Sequence, residues 1–374
     1  MKTENLKSLL WACLSLFILA QLLAAQSIPF SAPGWEFSAK EHKIADYFGK
    51  EGIFLKDGAA LIKDSAFLNG IIEFDIAVTG ERGFMGVLWR IQDDKNAEEF
   101  YIRPHQSGKP DANQYTPVFN GNSAWQLYYG EGYAAPVNYK FNEWMHIKIV
   151  IAGQQAEIYI MDMEKPALFI PELKRKAQSG KVGIYAGSGF APAYFANFSY
   201  KTIENPQLKS APVKKDTAPN GTIMSWQVSN PFDGSTLDNS YSLKKDDIKD
   251  LKWTKLESEN TGITNLARIE GPSDKKRTVF AKLDISSDKQ QTRALQFGYS
   301  DNVLVFVNGQ LVYGGTNMYS SRDHRYLGTI GLFDMIYPQL KKGQNEILFA
   351  VTENFGGWGI LAFFEDMEDI ELNQ

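Results

Sequence analysis

Apolar and polar positions alternate with a period of two along much of this chain, and Phe100-Tyr101-Ile102-Arg103-Pro104-His105 is the most informative instance. Read as a strand, it sets Phe100 and Ile102 on one face and Tyr101, Arg103 and His105 on the other. One face is apolar enough to pack on a core. The other carries a phenol, a guanidinium and an imidazole, groups that stack on and hydrogen-bond to a polar, ring-shaped ligand. A solvated strand face is the plainer alternative. The same period recurs at Ile147, Ile149 and Ile151, and strand-like runs appear at residues 70–78, 144–151, 183–186 and 195–200. Long amphipathic helices are scarce, and no internal repeat is visible.

A second block of strand signals begins near Thr222. Val303-Leu304-Val305-Phe306-Val307 and Leu311-Val312-Tyr313 flank Asn308-Gly309. Asn-Gly between apolar runs predicts a tight hairpin, because both residues tolerate positive φ. Between the blocks, Asn205-Pro206, Ala211-Pro212 and Ala218-Pro219-Asn220-Gly221 give a polar, proline-punctuated connector. The expected architecture is all-β: two β-sandwich (jelly-roll) domains at residues 27–203 and 223–374, joined by a linker at 204–222.

At the start, Lys2 and Lys7 precede an apolar run over residues 9–23, with Leu23-Ala24-Ala25 ahead of Gln26. This pattern predicts a secretory signal peptide over residues 1–25, too short for a stable membrane span. The expected location is exported: periplasmic, cell-surface or extracellular. The single cysteine, Cys13, falls inside that segment, so the mature chain is expected to lack disulfides and thiol chemistry. Composition adds two constraints. With 24 Phe, 17 Tyr and 31 Gly the chain suits a strand-and-turn protein, and a net charge of −5 without a basic run argues against nucleic acid.

Two family resemblances follow from ordered motifs. Gly70-Ile71-Ile72-Glu73-Phe74-Asp75, Gly86-Val87-Leu88-Trp89-Arg90, Phe141-Asn142-Glu143-Trp144 and Gly180-Lys181-Val182-Gly183-Ile184 resemble the concanavalin A-like lectin/glucanase superfamily. The likeness is strongest to its laminin-G-like and 3-keto-disaccharide-hydrolase-like branches. The second block is similar to the galactose-binding-like jelly rolls attached to glycoside hydrolases. The residues that carry this are Trp226-Gln227-Val228-Ser229-Asn230-Pro231-Phe232, Gly298-Tyr299-Ser300-Asp301-Asn302 and Lys342-Gly343-Gln344-Asn345. The resemblances imply a concave binding face on the first sandwich, with Arg90 beside Tyr101, Arg103 and His105. Relatives of both folds often hold a structural calcium ion; no other cofactor is expected, and the four histidines show no metal-ligand spacing.

Glu73-Phe74-Asp75 begins like the family 16 glycosidase motif, but Ala77 and Val78 stand where its last Glu is required, so that active site is not expected. The leading expectation is recognition of a glycan, with weak catalysis or none, by Arg90, Tyr101, Arg103, His105, Tyr115, Trp125 and Trp358. A loop over residues 106–125 would supply part of the contact, and Trp358 between glycines reads as a stacking platform or as a plug in the jelly roll. The rival reading is a 3-keto-type carbohydrate-active enzyme using His105 or Asp111 as acid/base. A third is an envelope scaffold mediating protein contacts.

Overall fold

The computed structural model describes residues 26–211, 217–323 and 325–373; the expected signal peptide lies outside the described residues. Among them the regular structure is strand, broken by short 3-10 turns. Two antiparallel seven-stranded sheets form the first sandwich. One runs in the order Trp35–Phe37, Gly58–Ile62, Lys181–Ala186, Met85–Asp93, Asn96–Ile102, Asn113–Phe119, Asn122–Ser123. In the other, the central strands are Met145–Ala152, Gly70–Ala77, Ala193–Thr202 and Lys50–Lys56.

The period-two pattern explains why these segments pair. Ile147 lies opposite Phe74 and Ile149 opposite Ile72, and all four are fully buried between the sheets. A slip of one residue would turn each of them to solvent, so the register is fixed by burial, at roughly 1.5–3 kcal/mol per side chain.

The second sandwich is built around the long pair Lys276–Ser287 and Gly343–Thr352, with Asn302–Val307 and Gln310–Thr316 beyond. A smaller sheet of Gly359–Phe364, Leu295–Ser300, Asp334–Ile336 and Thr264–Asn265 packs against it. The Asn308-Gly309 hairpin forms as expected: Val307 pairs with Gln310, and the turn residues have φ of 49° and 80°. The described part of the connector does not stand free. Lys209 Nζ reaches Glu164 at 2.9 Å, and Ile223 N already donates to Ala362 O at 2.9 Å inside the second sandwich.

The two sandwiches are fastened together by polar contacts from the end of the first sheet. Asn120 Nδ2 donates to Ala267 O at 2.8 Å, Gln126 N to Gly356 O at 2.9 Å, and Ile330 N to Gln126 O at 3.0 Å. Gly356 has φ of 95°, and a Cβ there would lie 2.6 Å from Trp125 Nε1, so glycine lets the chains approach. The segment expected as a loop over residues 106–125 is instead largely a hairpin. Asn113–Phe119 and Asn122–Ser123 pair around Asn120-Gly121, whose φ values are 50° and 82°. This hairpin carries the sheet edge across to the second sandwich.

A candidate ligand cleft at the domain junction

The outer face of the first sheet and the loops of the second sandwich enclose a cleft of about 470 Å³. Its floor follows from strand pairing. Tyr185 lies opposite Gly86 and Gly86 opposite Tyr101, so a residue without a side chain separates two phenols on one face. Phe84 and Phe190 form one wall, with ring centroids 4.7 Å apart. Trp125 and Phe355 form another, 6.1 Å apart. A smaller lobe of about 80 Å³ shares Phe84, Tyr101, Trp125 and Phe355 and is bounded by Arg82, Arg103, His105 and Asp111.

Four of the expected residues gather here beside Trp125. Tyr101 is a floor residue, and its hydroxyl accepts from Arg103 Nη2 at 3.1 Å. Arg103 is almost buried and also donates to Asp111 O, Asn113 O and Gln114 Oε1. Its guanidinium lies 5.0 Å from the Tyr101 ring and 5.8 Å from that of Trp125. Arg103 therefore sets the shape of the floor. His105 does not lie on the strand; it sits in a 3-10 turn, Pro104–Gln106, after the strand ends at Ile102. Burial, and then the charges of Arg82 and Arg103, lower its pKa and favour the neutral imidazole.

Three expected contacts lie elsewhere. Arg90 has φ of 50° where the register shifts, which turns it away from the cleft. It is buried, donating to Leu68 O at 2.9 Å and Gly153 O at 2.6 Å, so it ties loops together. Tyr115 points between the sheets, where its hydroxyl donates to the buried Glu98 at 2.7 Å. Trp358 is fully buried in the second core, its Nε1 donating to Val351 O at 3.0 Å: it is a plug, not a platform.

The cleft also holds residues that the sequence reading did not select. Glu99 occupies the same strand face as Tyr101 and accepts from Ser123 Oγ at 3.0 Å. Glu353 comes from the end of Gly343–Thr352, and Arg277 from the strand paired with it. Asn122 of the first sandwich donates to Glu353 Oε1 at 2.9 Å, across the junction. Glu99 was legible from its two-residue spacing to Tyr101. Glu353 and Arg277 carry no local signal, because only domain docking brings them here.

Burial, reinforced by the nearby Asp301, pushes the Glu353 carboxyl up to about 8. Burial raises Glu99 as well, against the hydrogen bond of Ser123. Asp301 is raised to about 6 by burial, while its Oδ2 accepts from the backbone N–H of Asn354 and Phe355. For Glu353 the folded protein binds a proton more tightly than the unfolded chain, whose carboxyl titrates near 4.5. Stability is thus expected to fall as pH rises from about 4.5 to about 8. Glu98, raised to about 7 by burial, and His146, raised to about 9 chiefly by its bond to Asp75, add slopes of the same sign. The Glu353 share is isolated by comparing thermal melts with Glu353→Gln, which keeps an acceptor for Asn122. The variant is expected to show a shallower decline between pH 5 and 8. Parallel curves would contradict a buried neutral acid at this position.

No family model matches the sequence, and no curated protein matches it. Among solved structures, carbohydrate-binding module CBM66 from Bacillus subtilis is similar at 18% identity and a TM-score of 0.34, over 46% of this chain and 98% of that one. The GH43 protein BlXynB from Bacillus licheniformis is similar at 14% identity and a TM-score of 0.33, over 47% of this chain and 38% of that one. A Bacillus subtilis protein of unknown function with a galectin-like fold is similar at 9% identity and a TM-score of 0.34, over 49% of this chain and 97% of that one. The roles assigned to cleft residues rest on the geometry of this chain alone.

Proposed function

We propose that this protein binds a carbohydrate in the junction cleft and does not cleave it. The observation that carries the reading is the pairing of aromatic walls with polar, mostly buried groups. Phe84, Tyr101, Trp125, Phe190 and Phe355 offer ring faces, while Asn122, Ser123, Glu99 and Glu353 offer hydrogen bonds. A pyranose has the same dual character, with apolar C–H faces and a polar rim, and the cleft volume suits a small-ligand site.

Hydrolysis by the usual route needs one carboxylic acid and one ionised carboxylate flanking the bond. Burial raises Glu353 to about 8 and raises Glu99 in the same direction, so neither sits in surroundings that favour the ionised carboxylate. Asp301 is fully buried and committed to backbone donors. The main cleft thus holds a raised acid without an ionised carboxylate across from it, Asp111 bounding only the smaller lobe, and this favours recognition. Among the described residues no helix is long and apolar enough to cross a membrane. With its leading apolar segment read as a secretory signal, the protein would meet its glycan in the envelope or outside the cell.

The test is a titration of the protein against a broad glycan panel, beside Trp125→Ala, with each bound glycan assayed for released reducing ends. Removing the indole is expected to weaken binding at least about tenfold, or ~1.4 kcal/mol of ring contact. Undiminished binding by the variant would move the site elsewhere. Release of reducing ends would make the protein a hydrolase.

A further inference from the structure

Arg277 brings to the cleft a charge that no carboxylate neutralises by direct contact. Its Nε donates to Glu353 O at 2.9 Å and its Nη2 to Asn354 O at 3.0 Å. Those two carbonyls orient the guanidinium while leaving its positive charge in place, and it forms no ion pair with a carboxylate among the described residues. Beside it, the Glu353 carboxyl faces the Gly357 backbone N–H and has its Oε1 occupied by Asn122 Nδ2, while its Oε2 is buried without a geometrically sound hydrogen bond. Buried polar atoms are normally paired, so this orphan calls for an explanation. Asn122 Oδ1 is a second buried atom without a partner at the same wall.

The three groups have complementary needs. With Oε1 accepting from Asn122, the proton of a neutral Glu353 belongs on Oε2, a donor without an acceptor. With Nε and Nη2 given to the two carbonyls, Arg277 has Nη1 left to donate and adds positive charge. Two donors lining one cleft match an oxyanion, which only accepts. Asn122 Oδ1, an acceptor without a donor, matches a ring hydroxyl. Building on the carbohydrate reading of this cleft, we propose that its ligand is an anionic saccharide, with the acidic group held by Arg277 and Glu353 and a hydroxyl by Asn122.

The proposal has a pH signature. The charged and titratable groups around Glu353 are Arg277 and Asp301, with Glu99 and Tyr185 along the same cleft. Above about pH 8 the Glu353 carboxyl ionises, loses its donor and repels an anion. Affinity for an acidic glycan is therefore expected to drop there, while affinity for a neutral one is not.

The experiment is calorimetric titration of the full chain with galacturonan, alginate and sulfated chondroitin oligosaccharides. Methyl-esterified galacturonan serves as a neutral twin, and levan, xylan and β-glucan form a neutral set. An acidic glycan is expected to bind at least about tenfold more tightly than its neutral counterparts, the usual worth of a hydrogen bond to a charged group. That preference is expected to disappear in Arg277→Gln and to persist in Arg277→Lys, with melting temperatures confirming that both variants fold. Preference for a uronate or for a sulfate would each support the proposal and identify the acidic group. Equal binding of acidic and neutral glycans, or an unchanged preference in Arg277→Gln, would overturn it while leaving the carbohydrate reading standing. Binding of none of these glycans would overturn both.

Discussion

Replacing Trp358 with alanine is expected to destabilise the second sandwich by about 3–5 kcal/mol, the usual cost of deleting a buried tryptophan side chain. The indole is fully buried in a core shared with Trp226, Phe349 and Phe364, and its N–H is satisfied by Val351 O. Truncation leaves a large void that the flanking glycines cannot fill and removes the indole's bond to the Val351 carbonyl, which stays in the strand ladder opposite Val279. Gly359 already packs so tightly that a Cβ there would lie 2.5 Å from a Leu127 methyl. Against a total stability of about 5–15 kcal/mol, this is enough to shift the urea midpoint strongly. The cleft residue Phe355 lies three positions away, so the decisive comparison is stability against affinity. A variant with the wild-type midpoint and no glycan binding would return Trp358 to the ligand.

The case of Trp358 shows where the chain's own pattern is readable and where it is not. A tryptophan between glycines fits a loop platform and a core plug equally well locally; burial decides, and burial is a property of the assembled sandwich. The sheets themselves were legible because alternation is a direct imprint of two-sided burial, as at Ile147 and Ile149 opposite Phe74 and Ile72. The same logic placed Tyr101 and Arg103 on the outer face, and Glu99, two positions before Tyr101, belongs to that face by the same rule. The hairpin at Asn120-Gly121 carried the signal that located Asn308-Gly309, but its strand Asn113–Phe119 opens on Asn-Gln and carries Pro117, which argues locally against a strand inside a sheet.

Arg90 failed for a different reason. Its left-handed backbone at an irregular register reverses the direction expected from alternation, and an arginine gives no local warning of such a conformation. The other half of the cleft was out of reach altogether. Asn122 and Glu353 are 231 residues apart and meet only because the sandwiches dock.

That docking supplies the last large effect. Lys174 of the first sandwich is nearly buried, with its Nζ 2.7 Å from Glu259 of the second and 2.9 Å from Glu172. Tyr128 also donates its hydroxyl to Glu259. Burial lowers the pKa of the ammonium, but Glu259, Tyr133 and Glu172 together outweigh that effect and raise the pKa. Lys174→Met keeps the stem and removes the charge, leaving Glu259 mostly buried beside a second carboxylate. Breaking a buried pair from one side costs about 3–5 kcal/mol, much of it the penalty of the charge left behind. The single variant is therefore expected to unfold at lower urea and to bind the proposed glycan more weakly, since both sandwiches wall the cleft. Adding Glu259→Gln removes the stranded charge and is expected to restore most of the stability and the affinity together. Recovery of stability without affinity would show that the cleft does not depend on this fastening. A single variant as stable as the wild type would mean that water already reaches the pair and that the sandwiches are held by the contacts of Asn120 and Gln126 instead.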